Sequence, residues 1–421
     1  MDNIVFMKAT LFFFLLLTGS VQAQPAKQIG IQKCYELARQ NYPLIKQRDL
    51  INKTRDYSVS NAAKGYIPRL GLVGQATYQS DVVEIPSPGI PALRKDQYKV
   101  GAELNQTIYD AGVIKYVKQS SDINAEIQQQ SLEVNLFALQ ERINNIYFGL
   151  LYIDQQIKQN GLRENDLQNG QASVEASYAN GESFKSNVDE LKAEILNVDQ
   201  STIELKSNKV SYQEVLSIMI NLKVDDGTVL EEPESIVDLR NDINRPEVKL
   251  YDIQKKNTDL MERQLKTGYT PSVNAFAQGY YGAPTYNFIS NDPGFFGIVG
   301  ISFKWNLYNL YTYKNSRSIY QLNRQNIDAQ KETFLFNTRL SLSQDSQSVV
   351  KYNSLLSTDK QIIKLRSSVK DAAKAQLENG TLTSHDYITK VNDESQARLS
   401  LAQHHIQWLQ SQYNFKNTSG N

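Results

Sequence analysis

Asn41-Tyr42-Pro43 leads to Gly65-Tyr66-Ile67-Pro68, and Asn244-Arg245-Pro246 leads to Gly268-Tyr269-Thr270-Pro271. In both places 25 residues separate the two prolines, and the second occurrence lies 203 residues after the first in a chain of 421. A repeat of this size means that one structural unit is built twice, so each copy serves as a check on the other.

Beyond Pro68, Leu70, Leu72, Gly74, Ala76 and Tyr78 alternate with Arg69, Gly71, Val73, Gln75, Thr77 and Gln79. This period of two predicts a strand over about 69–80 with one apolar and one polar face. A turn-rich stretch with Pro86, Pro88, Gly89 and Pro91 follows, and Val100, Ala102, Leu104 and Ile108 then mark a second strand over about 98–109. The second copy repeats the hairpin over about 272–282 and 296–308: Val273, Ala275 and Ala277 sit 203 residues after their counterparts. Val299, Ile301, Phe303, Trp305 and Leu307 sit 199 after theirs, because the loop between the strands is four residues shorter. Strands of this length, apolar on one face and polar on the other, carry the pattern of a membrane barrel; a soluble sandwich is the other reading. Two hairpins are too few to close either structure, so these strands require partners from other copies.

A proline-free helical stretch follows each hairpin. Leu136, Leu139, Ile143, Ile146, Leu150, Ile153 and Ile157 advance by steps of three and four, and Leu335, Leu342, Val349, Leu356 and Ile363 recur every seven. That is the spacing of a coiled-coil seam, present in both copies. A helix from Gly112 to Tyr178 would be about 100 Å long at 1.5 Å per residue. Ala179-Asn180-Gly181 and Glu378-Asn379-Gly380 break the two rods, Asn-Gly being a strong turn signal. Each copy thus reads as helix, β-hairpin, long helix, tight tip and returning helix, with helical hairpins over about 111–222 and 311–416. The first repeat occupies 24–222 and the second 244–417. Between them, 223–243 is an acidic stretch with Asp225, Asp226, Glu231, Glu232, Glu234, Asp238 and Asp242, expected to be a solvated linker; its carboxylates follow no recognised calcium-loop spacing.

Residues 1–23 carry Lys8, an apolar run from Leu11 to Leu17 and a small-residue end at Ala23, which predicts a signal peptide. Cys34 is the single cysteine, so no internal disulfide forms, and a helical core position is expected for it. Formal net charge is zero, which argues against nucleic acid as a partner. The three histidines, His385, His404 and His405, have no zinc or nucleophile–base spacing, and no Walker A, Gly-x-Ser-x-Gly or dinucleotide motif occurs. Neither an enzyme nor a cofactor is expected.

From about Ile29 to Phe415 these features resemble the TolC-like outer-membrane efflux family. At the second tip, Gly380-Thr381-Leu382-Thr383-Ser384-His385-Asp386 is similar to the family's glycine followed six residues later by aspartate. At the first, Gly181 precedes Asp189-Glu190-Leu191-Lys192-Ala193, similar to the family's Asp-x-Leu-x-Ala run with two extra residues in the turn. The resemblance implies a mainly α protein with a small membrane β-barrel, in which four strands from each of three copies close one barrel in the outer membrane. A barrel of helices would continue it across the periplasm. It also implies a passive exit duct for efflux or type I secretion, a periplasmic membrane-fusion adaptor, an inner-membrane pump of RND or ABC type, and outer-membrane lipid around the barrel. Asp386 and Asp189 then become gate candidates, with Thr389 standing where a second aspartate is often found. Lys390 replaces a usually small residue. Gly181, Gly380 and Leu382 become adaptor-contact candidates, and Trp305 a residue of the interfacial aromatic belt. Each has a plainer alternative: Asp386 as a helix-start residue, the glycines as turn formers, Trp305 as a strand anchor. For the whole chain, the alternative from another class is a periplasmic coiled-coil tether, which has no reason to keep apolar faces on four strands.

Overall fold

A computed structural model describes residues 27–421 except 85, 91, 237–239, 241 and 288. The expected signal peptide lies outside the described residues. The first copy comprises β1 (Lys27–Ile29), α1 (Ile31–Asn41), α2 (Gln47–Ala63), β2 (Arg69–Tyr78), β3 (Asp96–Tyr109), α3 (Val113–Phe137), α4 (Leu139–Ala179) and α5 (Lys185–Ile220). After β4 (Thr228–Leu230) come α6 (Pro246–Gln264), β5 (Ser272–Ala283), β6 (Gly294–Lys304), α7 (Tyr308–Glu378) and α8 (Ser384–Ser419). Pro246 occupies the first turn of α6, where the missing N–H would have had no partner in any case. The glycine of the Gly-Tyr-x-Pro motif permits close approach: a Cβ on Gly65 would stand 2.8 Å from Ile114 Cδ1 of the departing helix.

Strand register carries the duplication into the structure. In β2–β3, Leu70 faces Leu104, Leu72 faces Ala102 and Gly74 faces Val100. In β5–β6, Val273 faces Phe303, Ala275 faces Ile301 and Ala277 faces Val299, the same pairs displaced by 203 and 199 residues. β3 joins β5 antiparallel, giving one sheet in the order β2-β3-β5-β6. The fourth strand is shorter than expected and ends at Lys304, leaving Trp305 outside it and Tyr308 already helical. The reason is local. Ser272 pairs with Lys304, so the residue opposite Trp305 is Pro271, which has no N–H to offer. β3 has β5 on its other side and runs on to Tyr109, whereas β6 is an edge and stops.

The first long rod is interrupted where a single helix was expected: Ala138 separates α3 from α4. Its counterpart α7 runs unbroken for 71 residues. Among the helices, α5 packs on α4, α4 on α8 and α8 on α7, so α5 and α7 form the lateral edges of the layer. The expected seam residues Leu136, Leu139, Ile143, Leu150 and Ile153 are buried in the first copy. In α7 only Leu342 of the series is buried; Leu335, Val349, Leu356 and Ile363 are half-covered, as befits an edge helix. One core cluster joins Cys34, Ile143, Tyr147, Phe148, Leu216 and Leu409, and burial pushes the Cys34 thiol up to about 12. A second, toward the tips, joins Leu167, Val174, Leu191, Leu377, Tyr387 and Val391.

In the acidic stretch expected to be a solvated linker, Asp226, Glu231, Glu232 and Glu234 are exposed, but the backbone is tied to the fold. Within this stretch, β4 pairs in parallel with β1, and the buried Tyr147 hydroxyl stands 2.8 Å from the Ile29 carbonyl and 2.6 Å from that of Glu231. Gln412 of α8 accepts from the Ile236 N–H at 2.6 Å. Its acidic composition spoke for solvent, but the backbone is claimed by a strand partner and by buried side chains. No helix among the described residues is long and apolar enough to cross a membrane.

Candidate functional site: sheet faces and helical tips

One face of the sheet is apolar and uncovered: Leu70, Leu72, Val100, Val299, Ile301 and Phe303 are exposed, Leu72 to 86%. A contiguous patch of this kind on a lone chain requires a partner or lipid. The opposite face carries Gln75, Lys99, Glu103, Asn105 and Gln278. There the Tyr280 hydroxyl donates to Glu103, and Lys99 Nζ lies 4.7 Å over the Tyr280 ring. β2 and β6 each have a neighbour on one side only. With four alternating strands, β6 of one copy meets β2 of the next antiparallel, so repetition of the chain can remove both edges. The helical edges are unpartnered too: Leu196, Ile203 and Val210 recur every seven residues along α5 and are exposed, as are Leu322, Phe336 and Val350 on α7.

The two tips close with one hydrogen-bond pattern. Asn180, Gly181 and Glu182 donate to the Ala176, Tyr178 and Ser177 carbonyls at 3.2, 3.0 and 2.8 Å. Asn379, Gly380 and Thr381 donate to the Ala375, Leu377 and Gln376 carbonyls at 3.1, 3.0 and 2.9 Å. Gly181 and Gly380 have φ of +81° and +69°, the left-handed helix stop that disfavours a Cβ. Nothing lies within 4 Å of a Cβ built on either glycine, so each turn presents open surface.

Beyond the glycines the tips differ. Thr383 Oγ1 accepts from the Asp386 N–H at 3.1 Å and donates to Asp386 Oδ2 at 2.7 Å, an N-terminal cap of α8. Asp386 is exposed, and Thr389 Oγ1 donates to the His385 carbonyl one turn back at 3.0 Å. Phe184, the corresponding cap residue of α5, makes no side-chain cap and is 78% exposed. The two extra residues expected in the first turn are not there. Both helices start four residues after their glycine, so Asn187 holds the position of Asp386, and Asp189 lies two residues deeper in α5. Asp189 is exposed and shares no hydrogen bond with Asp386 or Thr389. Leu382 is half-buried against the tip core, and Trp305 Nε1 donates to the Tyr269 carbonyl at 2.9 Å.

Sequence reasoning missed the contacts between hairpins. His385 Nδ1 lies 3.0 Å from Glu190 Oε1, joining the tips. Farther from the tip, Arg163 of α4 ion-pairs with Glu194 of α5, and its Nε donates to Asn392 of α8 at 2.8 Å. Glu394 is buried at 3% and receives Ser367 Oγ at 2.7 Å, Arg398 Nε at 2.5 Å and Lys370 Nζ at 3.4 Å. Burial pulls its carboxyl upward, but Ser367, Arg398 and Lys370 more than offset this and hold it below the usual carboxylate range. Lys370 also reaches Asp166 of α4 at 2.6 Å, and the Tyr387 hydroxyl donates to the Asp166 carbonyl at 2.9 Å. The one available signal was Glu394 falling on the buried stripe of α8.

A profile of the family described as outer membrane efflux protein matches residues 34–221. None of the curated proteins compared matches the chain. Among solved structures, the fold is similar to that of the outer membrane protein VceC from Vibrio cholerae, with TM-score 0.70 and 14% identity over 93% of this chain and 96% of that one. The open state of the MtrE outer membrane channel of Neisseria gonorrhoeae gives TM-score 0.68 and 10% identity over 94% and 89% of the two chains. The CmeC outer membrane channel of Campylobacter jejuni gives 0.65 and 12% over 93% and 85%. At these identities the likeness is one of fold, and it extends through both copies.

Proposed function

We propose that the chain, whose residues 34–221 match the outer membrane efflux protein family and whose fold is similar to that of solved outer-membrane channels, is an outer-membrane duct extending into the periplasm and forms the passive exit conduit of a tripartite efflux or type I secretion system. Three copies supply the strands of one barrel, with the apolar face toward lipid and the face bearing Lys99, Glu103 and Gln278 toward water. The observation that carries this is the sheet itself: four strands, one uncovered apolar face, and unpaired edges of matching polarity at β2 and β6. The same closure covers the exposed stripes of α5 and α7 with those of neighbouring copies.

At the far end, Asp386 is a gate candidate whose carboxylate accepts from the hydroxyl of Thr383, the capping residue of α8, and Asp189 and Thr389 are further gate candidates. The open turns at Gly181 and Gly380, with Leu382 beside the second, suit contact with a periplasmic adaptor, which would couple the duct to an inner-membrane RND or ABC pump. Trp305 extends the lipid-facing series Val299, Ile301, Phe303 by one further step and fits the interfacial aromatic belt.

Planar-bilayer recording of the detergent-purified protein, with its mass measured by light scattering, tests the reading. A trimer passing small cation-selective currents is expected. A monomer, or an oligomer that never inserts, would favour the periplasmic tether instead.

A further inference from the structure

Where α6 and α7 meet just below the sheet, a cavity of about 520 Å³ opens between Arg263 and Lys266 on one side and Arg317 and Arg324 on the other. Two carboxylates share it. Glu262 pairs with both Arg317 and Arg324, and Asp259 pairs with Arg324 at 3.0 Å. The side chains of Arg263 and Lys266 make no ion pair or hydrogen bond among the described residues, so two cationic charges are left over. The fold does not require this arrangement, because the first copy builds the same junction without it. At the register offsets of 203 and 199, Val59, Ser60, Ala63 and Ala125 stand where the second copy has Glu262, Arg263, Lys266 and Arg324, while Asp56 and Lys118 balance each other at the positions of Asp259 and Arg317. Uncompensated charge that the architecture can do without points to a ligand.

Position narrows the choice. Lys266 lies six residues before Ser272, the first residue of β5, at the helix-facing end of the sheet. Trp305, next in the lipid-facing series, bonds to the Tyr269 carbonyl; the Tyr269 ring packs edge-on against Tyr313, 4.8 Å between centroids, and Tyr313 lines the cavity. The cavity is therefore continuous with the apolar sheet face through an aromatic bridge. Basic pockets at such a membrane boundary recognise phosphate-bearing head groups, and guanidinium groups suit phosphate by their planar array of donors.

We infer that the α6–α7 cavity binds a phosphate-bearing anion, the head group of an anionic phospholipid of the periplasm-facing leaflet, and thereby holds the second repeat at a fixed depth in the membrane. This rests on the outer-membrane reading above. The test is native mass spectrometry of the full-length assembly, stripped of lipid and incubated with phosphatidylglycerol or phosphatidylcholine. Wild-type protein should retain phosphatidylglycerol preferentially, and Arg263→Gln/Lys266→Gln should retain about tenfold less or lower still. Lys64→Gln/Lys314→Gln, an equal charge change at the same end of the molecule but outside the cavity, should behave as wild type. A parallel arm adds inorganic phosphate without lipid: a rise in thermal midpoint seen only with Arg263 and Lys266 present, and no lipid retention, would support the phosphate site and assign it to a soluble anion. Equal phosphatidylglycerol retention by wild type and Arg263→Gln/Lys266→Gln, with no phosphate effect, would overturn the inference. Conductance of the wild-type preparation separates the two levels. Channels without selective retention remove the lipid site alone, whereas protein that never inserts removes the duct as well.

Discussion

Gly181 and Gly380 close their turns with the same three backbone hydrogen bonds, yet Thr383 caps the helix after one while Phe184 leaves the other uncapped. The same divergence recurs along the hairpins. Glu394, with Lys370, Ser367 and Arg398 around it, sits 199 residues after Ile195, which packs with the apolar tip core, and Gln171, Gln168 and Asp199 hold the positions of those three partners. Just below the sheet, three of the four cations in the second copy, Arg263, Lys266 and Arg324, stand where the first has Ser60, Ala63 and Ala125. Duplication therefore preserved the turns and the strand register, which leave little freedom, while the side chains on the second copy took up polar and charged roles. A single copy repeated without change could not hold distinct functions at its two tips.

The largest break in this comparison should come from Glu394. Glu394→Ala leaves Lys370 and Arg398 without their shared partner and is expected to destabilise by about 3 kcal/mol in denaturant titration. Glu394→Leu with Lys370→Met, which imitates the apolar first copy, should recover most of that loss. The pH dependence follows from the depressed carboxyl of Glu394. Its contribution is fully present above the unfolded carboxylate value of about 4.3 and is lost as pH falls through the lower folded value. Glu394→Gln should flatten that part of the stability profile; an unchanged profile would show that the network contributes nothing.

Two glycines of α4 offer a sharper comparison. A Cβ on Gly170 would stand 2.4 Å from the buried Tyr387 ring, and one on Gly149 would stand 2.6 Å from Tyr212, which is 40% exposed. Gly170→Ala should cost about 1–3 kcal/mol, since Tyr387 has nowhere to move. Gly149→Ala should be close to neutral, because Tyr212 can swing outward and alanine favours the helix by about 1 kcal/mol. Equal effects on the two thermal midpoints would mean that burial of the tyrosine does not decide the outcome.

At the turns, Gly181→Ala and Gly380→Ala should each cost about 1 kcal/mol through their left-handed backbone, and by similar amounts. Unequal losses would show that the tips are energetically different despite their shared hydrogen bonds. Of similar size, Thr383→Ala should lower stability by about 1 kcal/mol through the lost cap, with no matching loss for Phe184→Ala. Asp386→Asn keeps an acceptor for Thr383 and removes the charge. It should leave the melting midpoint nearly unchanged while reducing cation selectivity in the bilayer; unchanged selectivity would leave Asp386 as a partner of the Thr383 cap alone.

Much of the architecture was legible because it is written in short-range patterns. Alternation along Leu70–Tyr78 and Val299–Phe303 marks strand faces, Asn-Gly marks the tips, and the offsets of 203 and 199 reappear unchanged in the strand register. Each of these depends on residues within a few positions of one another, where sterics and periodicity act directly. The limits of elements were less legible. β6 stops at Lys304 because Pro271 stands opposite its next residue, a fact that exists only once the strands are paired. Asp189 looked like the partner of Asp386 by motif, but helix starts counted from the two glycines place Asn187 there.

What tertiary structure alone decided is where distant polar groups meet. The acidic stretch after Lys223 reads as solvent-loving, yet it supplies β4 to β1 and backbone groups to Tyr147 and Gln412. Arg163 and Asn392 are 229 residues apart in sequence and 2.8 Å apart in space. Composition and periodicity describe how a segment faces water or core. They do not say which polar group another segment will answer, because that is settled only when packed helices remove the groups from solvent and leave them to bond with one another.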